Sequence, residues 1–261
     1  MSSNADTGAG VLSPKPVIES TPLPTAKILI LGLILSANNC AIWLIFTMIP
    51  FMVQHFFPDL STKELGFRAG ILGSAFSAGC LFGNFIWGVL SDRIGRKPVL
   101  IMGLVGSVAS SLMFGFSHDF KVVVIARFLW GLLNGNIGVS KTYIAEILDD
   151  SNNSKGMALY GTIGGVGRTV GPIIGGYLLY PADSMPYIFK GTIYESYPFA
   201  LPVTVVACAC SVVAVLAYFY LPETLRGSIC YIDPNVSVEY TGANGEAVSI
   251  EMTPMHTNAN I

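Results

Sequence analysis

The stretch Gly88-Val89-Leu90-Ser91-Asp92-Arg93-Ile94-Gly95-Arg96-Lys97-Pro98 decides the fold of this 261-residue chain. It separates two long apolar runs, and it holds one acidic and three basic side chains. A very short basic loop between apolar segments is typical of a membrane protein, on the side of the bilayer that faces the cytoplasm. The stretch therefore predicts two membrane-spanning segments joined by a cytoplasmic turn.

The composition supports a membrane location for the whole chain. Hydrophobic residues make up 52 % of it and charged residues 11 %, whereas a soluble domain carries about 25 % charged residues. The mean hydropathy of +0.61 is too high for a disordered chain. The net charge of −2 is too close to neutral for nucleic-acid binding. The composition thus excludes a soluble domain, a disordered chain and a nucleic-acid-binding protein.

Six apolar runs follow one another along the sequence, and each is long enough to cross a bilayer, which takes about 20 residues. We expect an α-helix in each run, because irregular backbone cannot face lipid. The predicted fold is therefore all-α, an integral membrane bundle of six helices over residues 27–221, with flexible tails at 1–26 and 222–261. The predicted spans are 27–53, 67–90, 98–116, 122–148, 156–180 and 199–221.

The distribution of Lys and Arg predicts the orientation of the spans. With both termini inside, the cytoplasmic segments carry more basic residues than the opposite side, which is the bias that membrane proteins show. We therefore expect a multi-pass protein with both termini in the cytoplasm, in either the plasma membrane or the vacuolar membrane. The cytoplasmic residues are Lys15, Lys27, Arg93, Arg96, Lys97, Lys155 and Arg226, and the opposite ones are Lys63, Arg68, Lys121 and Lys190.

The loop at 88–98 resembles the signature loop of the major facilitator superfamily, G-x-x-x-D-R-x-G-R-K, at every fixed position. The resemblance implies that the chain is the N-terminal six-helix half of a twelve-helix transporter. In this family the charged loop holds the cytoplasmic side closed, and an acid on the fourth helix partners the loop arginine. The implied gating residues are Gly88, Asp92, Arg93, Gly95, Arg96, Lys97 and Glu146, with Arg96 and Glu146 as the preferred pair.

The chemistry of the loop residues suits such a latch. Asp92 lies at the end of a predicted helix, where the helix dipole disfavours an acid, so we expect it to find a cation or a helix N-terminus. Arg96 is able to form a bidentate pair with a carboxylate on a neighbouring helix.

Small and polar residues recur at three- and four-residue steps along the fourth span. On one continuous helix they share a face, and a face with two cations is expected to line a bundle or a water-filled cavity. Arg127 either snorkels to the outer surface or faces the cavity and is linked to proton coupling, as the resemblance of its surroundings to the family's R-x-x-x-G motif implies. Lys141 either lines the cavity and contacts a substrate or forms a simple ion pair. The face comprises Arg127, Gly131, Asn134, Gly138, Lys141 and Ala145.

Glycines crowd the fifth span, and its centre resembles the family's antiporter motif, G-x-x-x-G-P-x-x-G-G. The resemblance implies exchange rather than symport, and so export against a proton; the alternative is a generic glycine-rich packing helix. Arg168 lies mid-span, too deep to snorkel, so we expect it to face the cavity and bind an anion or a carboxylate. The matching positions are Gly167, Gly171, Pro172, Gly175 and Gly176.

The first span carries Asn38 and Asn39 where many proton-coupled relatives carry an acid, which puts proton coupling through this helix in doubt. The two amides either hydrogen-bond a substrate or connect helices. The segments 133–135 and 143–146 of the fourth span resemble the zinc-induced-facilitator-like and drug:proton antiporter branch of the superfamily.

Catalytic and cofactor signatures are missing from the sequence. It holds no nucleophile–base pair, phosphate-binding loop or metal-ligand spacing, so we expect neither an enzyme nor a bound cofactor or metal. The leading hypothesis is a secondary transporter, a proton-coupled exporter of a small organic or metal-chelate solute that works by alternating access. Its partners are that solute, protons and the lipid bilayer.

A second hypothesis treats the chain as a non-transporting partner or regulator of full-length transporters. Such a chain forms a homodimer or associates with a C-terminal half. All six spans match the first half of a twelve-helix transporter, and this is the strongest reason to expect that the chain does not transport alone.

Overall fold

Helices form the membrane part of the chain. The computed structural model describes residues 21–149, 151–181, 186–189, 191–224, 238–241 and 247–250. The helices are α1 (Thr25–Phe56), α2 (Thr62–Ile94), α3 (Arg96–Gly115), α4 (Phe120–Leu133), α5 (Asn136–Ile147), α6 (Asn153–Tyr177), α7 (Pro186–Phe189), α8 (Ile193–Ser196) and α9 (Ala200–Tyr220). Two strands, β1 (Val238–Thr241) and β2 (Ala247–Ile250), pair antiparallel with Val238 opposite Ile250.

Each predicted span coincides with helix, and the prediction of an all-α bundle is confirmed. Among the described residues, five crossings are long and apolar enough to span a membrane: α1, α2, α3, α4 together with α5, and α9. Helix α6 has 25 residues, also long enough to cross, but its glycines make it less apolar. The two strands lie in the segment 222–261, which was predicted to be a flexible tail. The hydropathy pattern did not predict strands there.

The fourth predicted span is one crossing built of two helices, with a break between α4 and α5. At the break, a Cβ on Gly135 would lie 2.4 Å from the Trp87 side chain of α2. The Trp87 Nε1 group donates a hydrogen bond to the Leu132 carbonyl oxygen at 2.8 Å. A side chain that packs at a break and takes up a freed carbonyl is a recognised cause of helix interruption. The prediction of one continuous helix is therefore wrong at this point.

Helix α6 lies directly against α1, backbone on backbone. A Cβ on Gly167 would lie 1.9 Å from the Ser36 carbonyl oxygen, and one on Gly171 would lie 2.5 Å from the Cys40 carbonyl oxygen. Only glycine permits such an approach, which is how membrane helices without a hydrophobic driving force gain close packing. The glycines of the fifth span thus join the first and fifth crossings.

Helices α2 and α4 form a second close pair. A Cβ on Gly131 would lie 2.1 Å from the Phe76 carbonyl oxygen, and one on Gly79 would lie 2.2 Å from the Phe128 carbonyl oxygen. Helix α9 packs between α1 and α3 and completes the bundle.

Buried apolar side chains form two clusters, one at each end of the bundle. The first surrounds Met48 and Trp130, and the second surrounds Leu31, Tyr143 and Leu221. The second cluster includes Val99 and Leu100, which directly follow the 88–98 loop, and so it packs against this loop.

Candidate functional site

Gly95 makes the turn between α2 and α3. Its φ of +106° lies in the region that favours glycine. A Cβ there would lie 2.5 Å from Glu223 Oε2, so both the backbone angle and the neighbouring carboxylate require glycine at this position.

Arg96 is the centre of an ion-pair cluster at this end of the bundle. Its side chain is 10 % exposed and pairs with Asp92, while Nη2 lies 3.0 Å from Glu146 Oε1. The Nε group donates to Glu146 Oε1 at 3.1 Å, and Nη1 donates to Ser91 Oγ at 2.5 Å. Both Arg96 nitrogens approach the same Glu146 oxygen, Oε1, while Oε2 accepts from Thr224, so the pair is a charge-assisted contact to one oxygen rather than a bidentate fork. The structure thus brings Arg96 together with Glu146 and with Asp92.

Glu223 is a member of the site that the sequence analysis missed. Its carboxylate accepts hydrogen bonds from the backbone amides of Arg96 at 2.9 Å and Lys97 at 3.2 Å. It therefore caps the N-terminus of α3, where the helix dipole favours an acid. The available signal was the acid directly after Pro222 at the end of the sixth span, but the contact joins residues 127 positions apart.

Two further hydrogen bonds tie the exit of α9 to α5. Thr224 Oγ1 donates to Glu146 Oε2 at 2.7 Å, and the Tyr143 hydroxyl donates to the Pro222 carbonyl oxygen at 2.6 Å. The end of α2, the start of α3, the end of α5 and the exit of α9 therefore meet at one point. We call the side chains that join them, Ser91, Asp92, Arg96, Glu146 and Glu223, the Arg96 cluster.

The other loop residues surround this cluster without entering it. Gly88 borders a cleft between α2 and α5 that Asn84, Asp92 and Thr142 also line. Arg93 is exposed. The Lys97 ammonium lies 5.4 Å from the centre of the Tyr218 ring, within cation–π distance.

Replacing Arg96 by Ala is expected to lower the free energy of unfolding by about 2–4 kcal/mol, because it leaves the Glu146 carboxylate, whose side chain is 23 % exposed, without its cation. A double-mutant cycle with Glu146→Gln is expected to show a coupling energy of about 1–3 kcal/mol. Unfolding in detergent, followed by tryptophan fluorescence, measures both. Arg93→Ala is the control, since an exposed side chain changes stability by at most about 0.5 kcal/mol. Additive single and double variants would show that the pair contributes nothing.

Arg127 lies fully buried inside the bundle, not at the outer surface. Its guanidinium carbon is 4.7 Å from the centre of the Phe76 ring, 4.9 Å from Phe46 and 5.9 Å from Trp130. Its three side-chain nitrogens have no hydrogen-bond partner among the described residues. The snorkelling alternative is therefore wrong, and aromatic faces hold the cation in place.

The polar face predicted along the fourth span divides at the α4–α5 break. Arg127, Gly131 and Asn134 are buried, whereas Gly138 and Lys141 are exposed, as is Ala145. The two-residue interruption shifts the helical phase, so the continuous face predicted from the spacing is not formed. The Asn134 amide is buried without a hydrogen-bond partner in the described part of the chain.

The two asparagines of the first span differ in their surroundings. Asn39 Nδ2 donates to the Gly164 carbonyl oxygen at 2.9 Å, which joins α1 to α6. For Asn39 the structure thus shows the helix-connecting alternative. Asn38 is fully buried, and its amide has no partner within the described ranges.

The residues of the predicted antiporter motif lie on two different surfaces of α6, one packed against α1 and one open. Gly167, Gly171 and Gly175 lie against α1, whereas Gly176 has open space beside it. Arg168 is exposed. Pro172 is half-buried between the two surfaces.

Within the described residues, no group of three or more His, Cys, Asp or Glu side chains has an arrangement that could hold a metal ion. The described residues thus offer two features with a bearing on function. One is the set of ion pairs around Arg96, and the other is the pair of exposed cations, Arg168 and Lys141.

The chain is similar in sequence to membrane transporters. The Major Facilitator Superfamily pattern matches residues 30–229. A probable peptide/nitrate transporter of Arabidopsis thaliana is 34 % identical over 70 % of this chain and 38 % of its own length. The Arabidopsis zinc induced facilitator 1 is 30 % identical over 78 % of this chain and 42 % of its own length.

A fungal relative and a solved structure agree with these matches. The multidrug transporter mfsB of Aspergillus fumigatus is 34 % identical over 77 % of this chain and 34 % of its own length. The inward-facing, unoccupied structure of a bacterial homologue of the human lysosomal transporter Spinster superposes with a TM-score of 0.64. That match has 17 % identity, and it covers 79 % of this chain and 44 % of the bacterial one.

The chain spans less than half the length of these relatives. The superfamily consists of membrane transporters rather than enzymes, as the sequence predicted. The pattern match covers most of the chain, and the chain is therefore a member of the Major Facilitator Superfamily, resembling the zinc-induced-facilitator and multidrug-transporter branch.

Proposed function

We propose that this chain is the N-terminal six-helix half of a proton-coupled antiporter that exports a small solute by alternating access. Both termini lie in the cytoplasm in this proposal, so the Arg96 cluster lies at the cytoplasmic end. The observation that carries the proposal is that this cluster joins four segments of the bundle at one point.

The Arg96 cluster gives the cytoplasmic end the rigidity that a gate needs. Arg96 holds α2 and α5 together through Asp92 and Glu146, and Glu223 fixes the exit of α9 to α3. The Asp92 side chain is 67 % exposed, so it presents a negative charge to whatever packs on this surface. A second six-helix half with a cation or helix N-terminus there would close the gate.

Two exposed cations are the proposed solute contacts. Arg168 and Lys141 lie within spans, on α6 and α5, and neither is buried by the bundle. A charge that faces lipid costs about 3 kcal/mol or more, so these side chains are expected to face a water-filled cavity. They favour a solute with a carboxylate or another anionic group, which a metal chelate also carries.

Proton coupling is assigned to Arg127 rather than to the first helix. The predicted first span, 27–53, contains no acidic residue, and Asn39 donates a hydrogen bond to α6. Arg127 is a buried cation without hydrogen-bonded partners in the described residues, so its charge responds to any polar group that enters its surroundings.

A second candidate function is that of a partner or regulator of full-length transporters. The observation that favours it is the 67 % exposed side chain of Asp92, which offers a negative charge to a packing partner at this end of the bundle. Two six-helix units are needed to enclose an alternating-access site. A homodimer or a complex with a C-terminal half supplies the second unit.

Reconstitution into liposomes tests the proposal. With an imposed pH gradient, protein-dependent uptake of nitrate or ethidium is expected, nitrate as an anionic probe and ethidium as a multidrug-type probe. Size-exclusion chromatography with light scattering, run on the same sample, gives the number of chains in the active unit. Assemblies of two or more folded chains that transport neither probe would contradict the transporter proposal, and folded monomers without uptake would favour the partner role.

A further inference from the structure

The segment that enters α1 is tied to the loop between α5 and α6. Thr21 Oγ1 donates a hydrogen bond to Asp149 Oδ2 at 2.9 Å and accepts one from Asn152 Nδ2 at 2.9 Å. The Thr21 backbone amide donates to Ser151 Oγ at 3.3 Å. The Thr21 hydroxyl thus acts both as donor and as acceptor. Thr21 and Asp149 are 128 positions apart in the sequence, so the contact joins distant parts of the chain. We call this group of four residues the Thr21 anchor.

The loop that receives Thr21 is ordered by its own hydrogen bonds. Asn152 is 5 % exposed, and its Oδ1 accepts from the Asp149 amide at 3.0 Å. The Asp149 carbonyl oxygen accepts from the amides of Asn152 at 3.0 Å and Asn153 at 2.9 Å. Glu146, which pairs with Arg96, lies three residues before Asp149, so the Thr21 anchor and the Arg96 cluster are close together in sequence.

Thr21 is followed by Pro22, and a hydroxyl residue before proline is the pair that proline-directed protein kinases recognise. The sequence contains three such pairs, beginning at Ser13, Thr21 and Thr253. Thr21 is the one within the described residues, and it is exposed. Its hydroxyl is therefore within reach of an enzyme at the surface.

We propose that Thr21 is phosphorylated by a proline-directed Ser/Thr kinase, and that this modification releases the 21–24 segment from the α5–α6 loop. This phosphorylation would add a regulatory site to the proposed function. The inference rests on the membrane orientation proposed above, with the N-terminus in the cytoplasm, since such kinases and ATP are cytoplasmic. The Thr21 oxygen attacks the γ-phosphorus of ATP, a P–O bond forms as the bond to ADP breaks, and the hydroxyl proton passes to the kinase base.

The product differs from threonine in the two properties on which the anchor depends. The hydroxyl hydrogen that Asp149 accepts is lost, and a group with a charge of about −2 stands beside a carboxylate. A phosphate next to an aspartate acts by like-charge repulsion. The modified residue therefore leaves the loop, and the side chains of Asp149, Ser151 and Asn152 lose their hydrogen bonds to Thr21, which removes the outside support of the loop.

The first arm of the test asks whether Thr21 is a substrate. The full chain with Ser13→Ala and Thr253→Ala, which leaves Thr21 as the Ser/Thr-Pro site, is purified in lipid nanodiscs and treated with a mitogen-activated protein kinase and ATP. Phosphopeptide mass spectrometry is expected to find phosphate at Thr21. Its absence there would overturn the proposal. This arm works in either membrane orientation; labelling of intact cells with a non-permeant reagent tests the orientation separately.

The second arm asks whether the charge releases the loop. Hydrogen–deuterium exchange of the 147–156 peptide is expected to become about tenfold faster after phosphorylation or in Thr21→Glu, a factor typical of losing one hydrogen bond to a charged group. Thr21→Val removes the hydrogen bond without adding charge and is expected to show a smaller increase. Thr25→Glu is the matched control, because it adds the same charge to an exposed threonine four residues further along the chain, at the start of α1. Unchanged exchange in phosphorylated protein and in Thr21→Glu would overturn the release.

Discussion

Gly167→Ala is expected to lower the free energy of unfolding by about 2–3 kcal/mol, or to prevent folding, through overpacking. The added Cβ would lie 1.9 Å from the Ser36 carbonyl oxygen, and the obstacle is backbone that moves only with α1 as a whole. Separation of the helices would also stretch the bond from Asn39 to the Gly164 carbonyl oxygen, now 2.9 Å long. Thermal unfolding in detergent, followed by tryptophan fluorescence, measures the loss.

Gly165→Ala is the matched control for this substitution. It lies two residues away on the same helix, and a Cβ there meets nothing within 4 Å. Alanine is the better helix former by about 0.5–1 kcal/mol, so this variant is expected to keep or slightly raise the melting temperature. Equal melting temperatures for the two variants would show that the close approach of α1 and α6 is not what requires glycine.

Arg168→Ala is expected to abolish transport while leaving expression and the melting temperature unchanged. The side chain is exposed on the bundle, so its removal costs little stability. Its charge lies mid-span, where only a cavity or a bound anion makes it tolerable. We expect at least a tenfold fall in initial nitrate uptake, equivalent to about 1.4 kcal/mol of lost binding or coupling.

Two control variants separate charge from position in this experiment. Arg168→Lys keeps the charge and is expected to retain part of the activity, because lysine lacks the planar fork of arginine. Lys63→Ala removes an exposed cation at the start of α2, outside the proposed cavity, and is expected to transport normally. Full transport by Arg168→Ala would remove this residue from the mechanism.

The helices and the family were predictable from the sequence because both depend on local signals. Hydropathy over about 20 residues predicts a crossing, and the fixed spacing of the 88–98 loop indicates the superfamily. The same loop predicted the contact of Arg96 with Glu146, since the resemblance brings a partner position with it. The structure places these two side chains 3.0 Å apart.

The features that were missed all depend on distant parts of the chain. Glu223 caps α3 from 127 residues away, and Trp87 packs at the α4–α5 break from another helix. The helical spacing was interpreted for an unbroken helix, and it therefore predicted that Arg127 and Lys141 share one face. The break between α4 and α5 separates them. No local pattern marks which aromatic rings will surround Arg127, because Phe46, Phe76 and Trp130 come from three helices.

Proton movement during solute efflux tests the antiporter proposal most directly. Proteoliposomes that contain a pH-sensitive dye are loaded with nitrate or with ethidium and diluted into solute-free buffer, while potassium and valinomycin hold the membrane potential at zero. Antiport predicts that protons enter as the solute leaves, so the internal pH falls, and that Arg168→Ala abolishes the change. An internal pH that rises, or that stays constant with both solutes, would contradict the account.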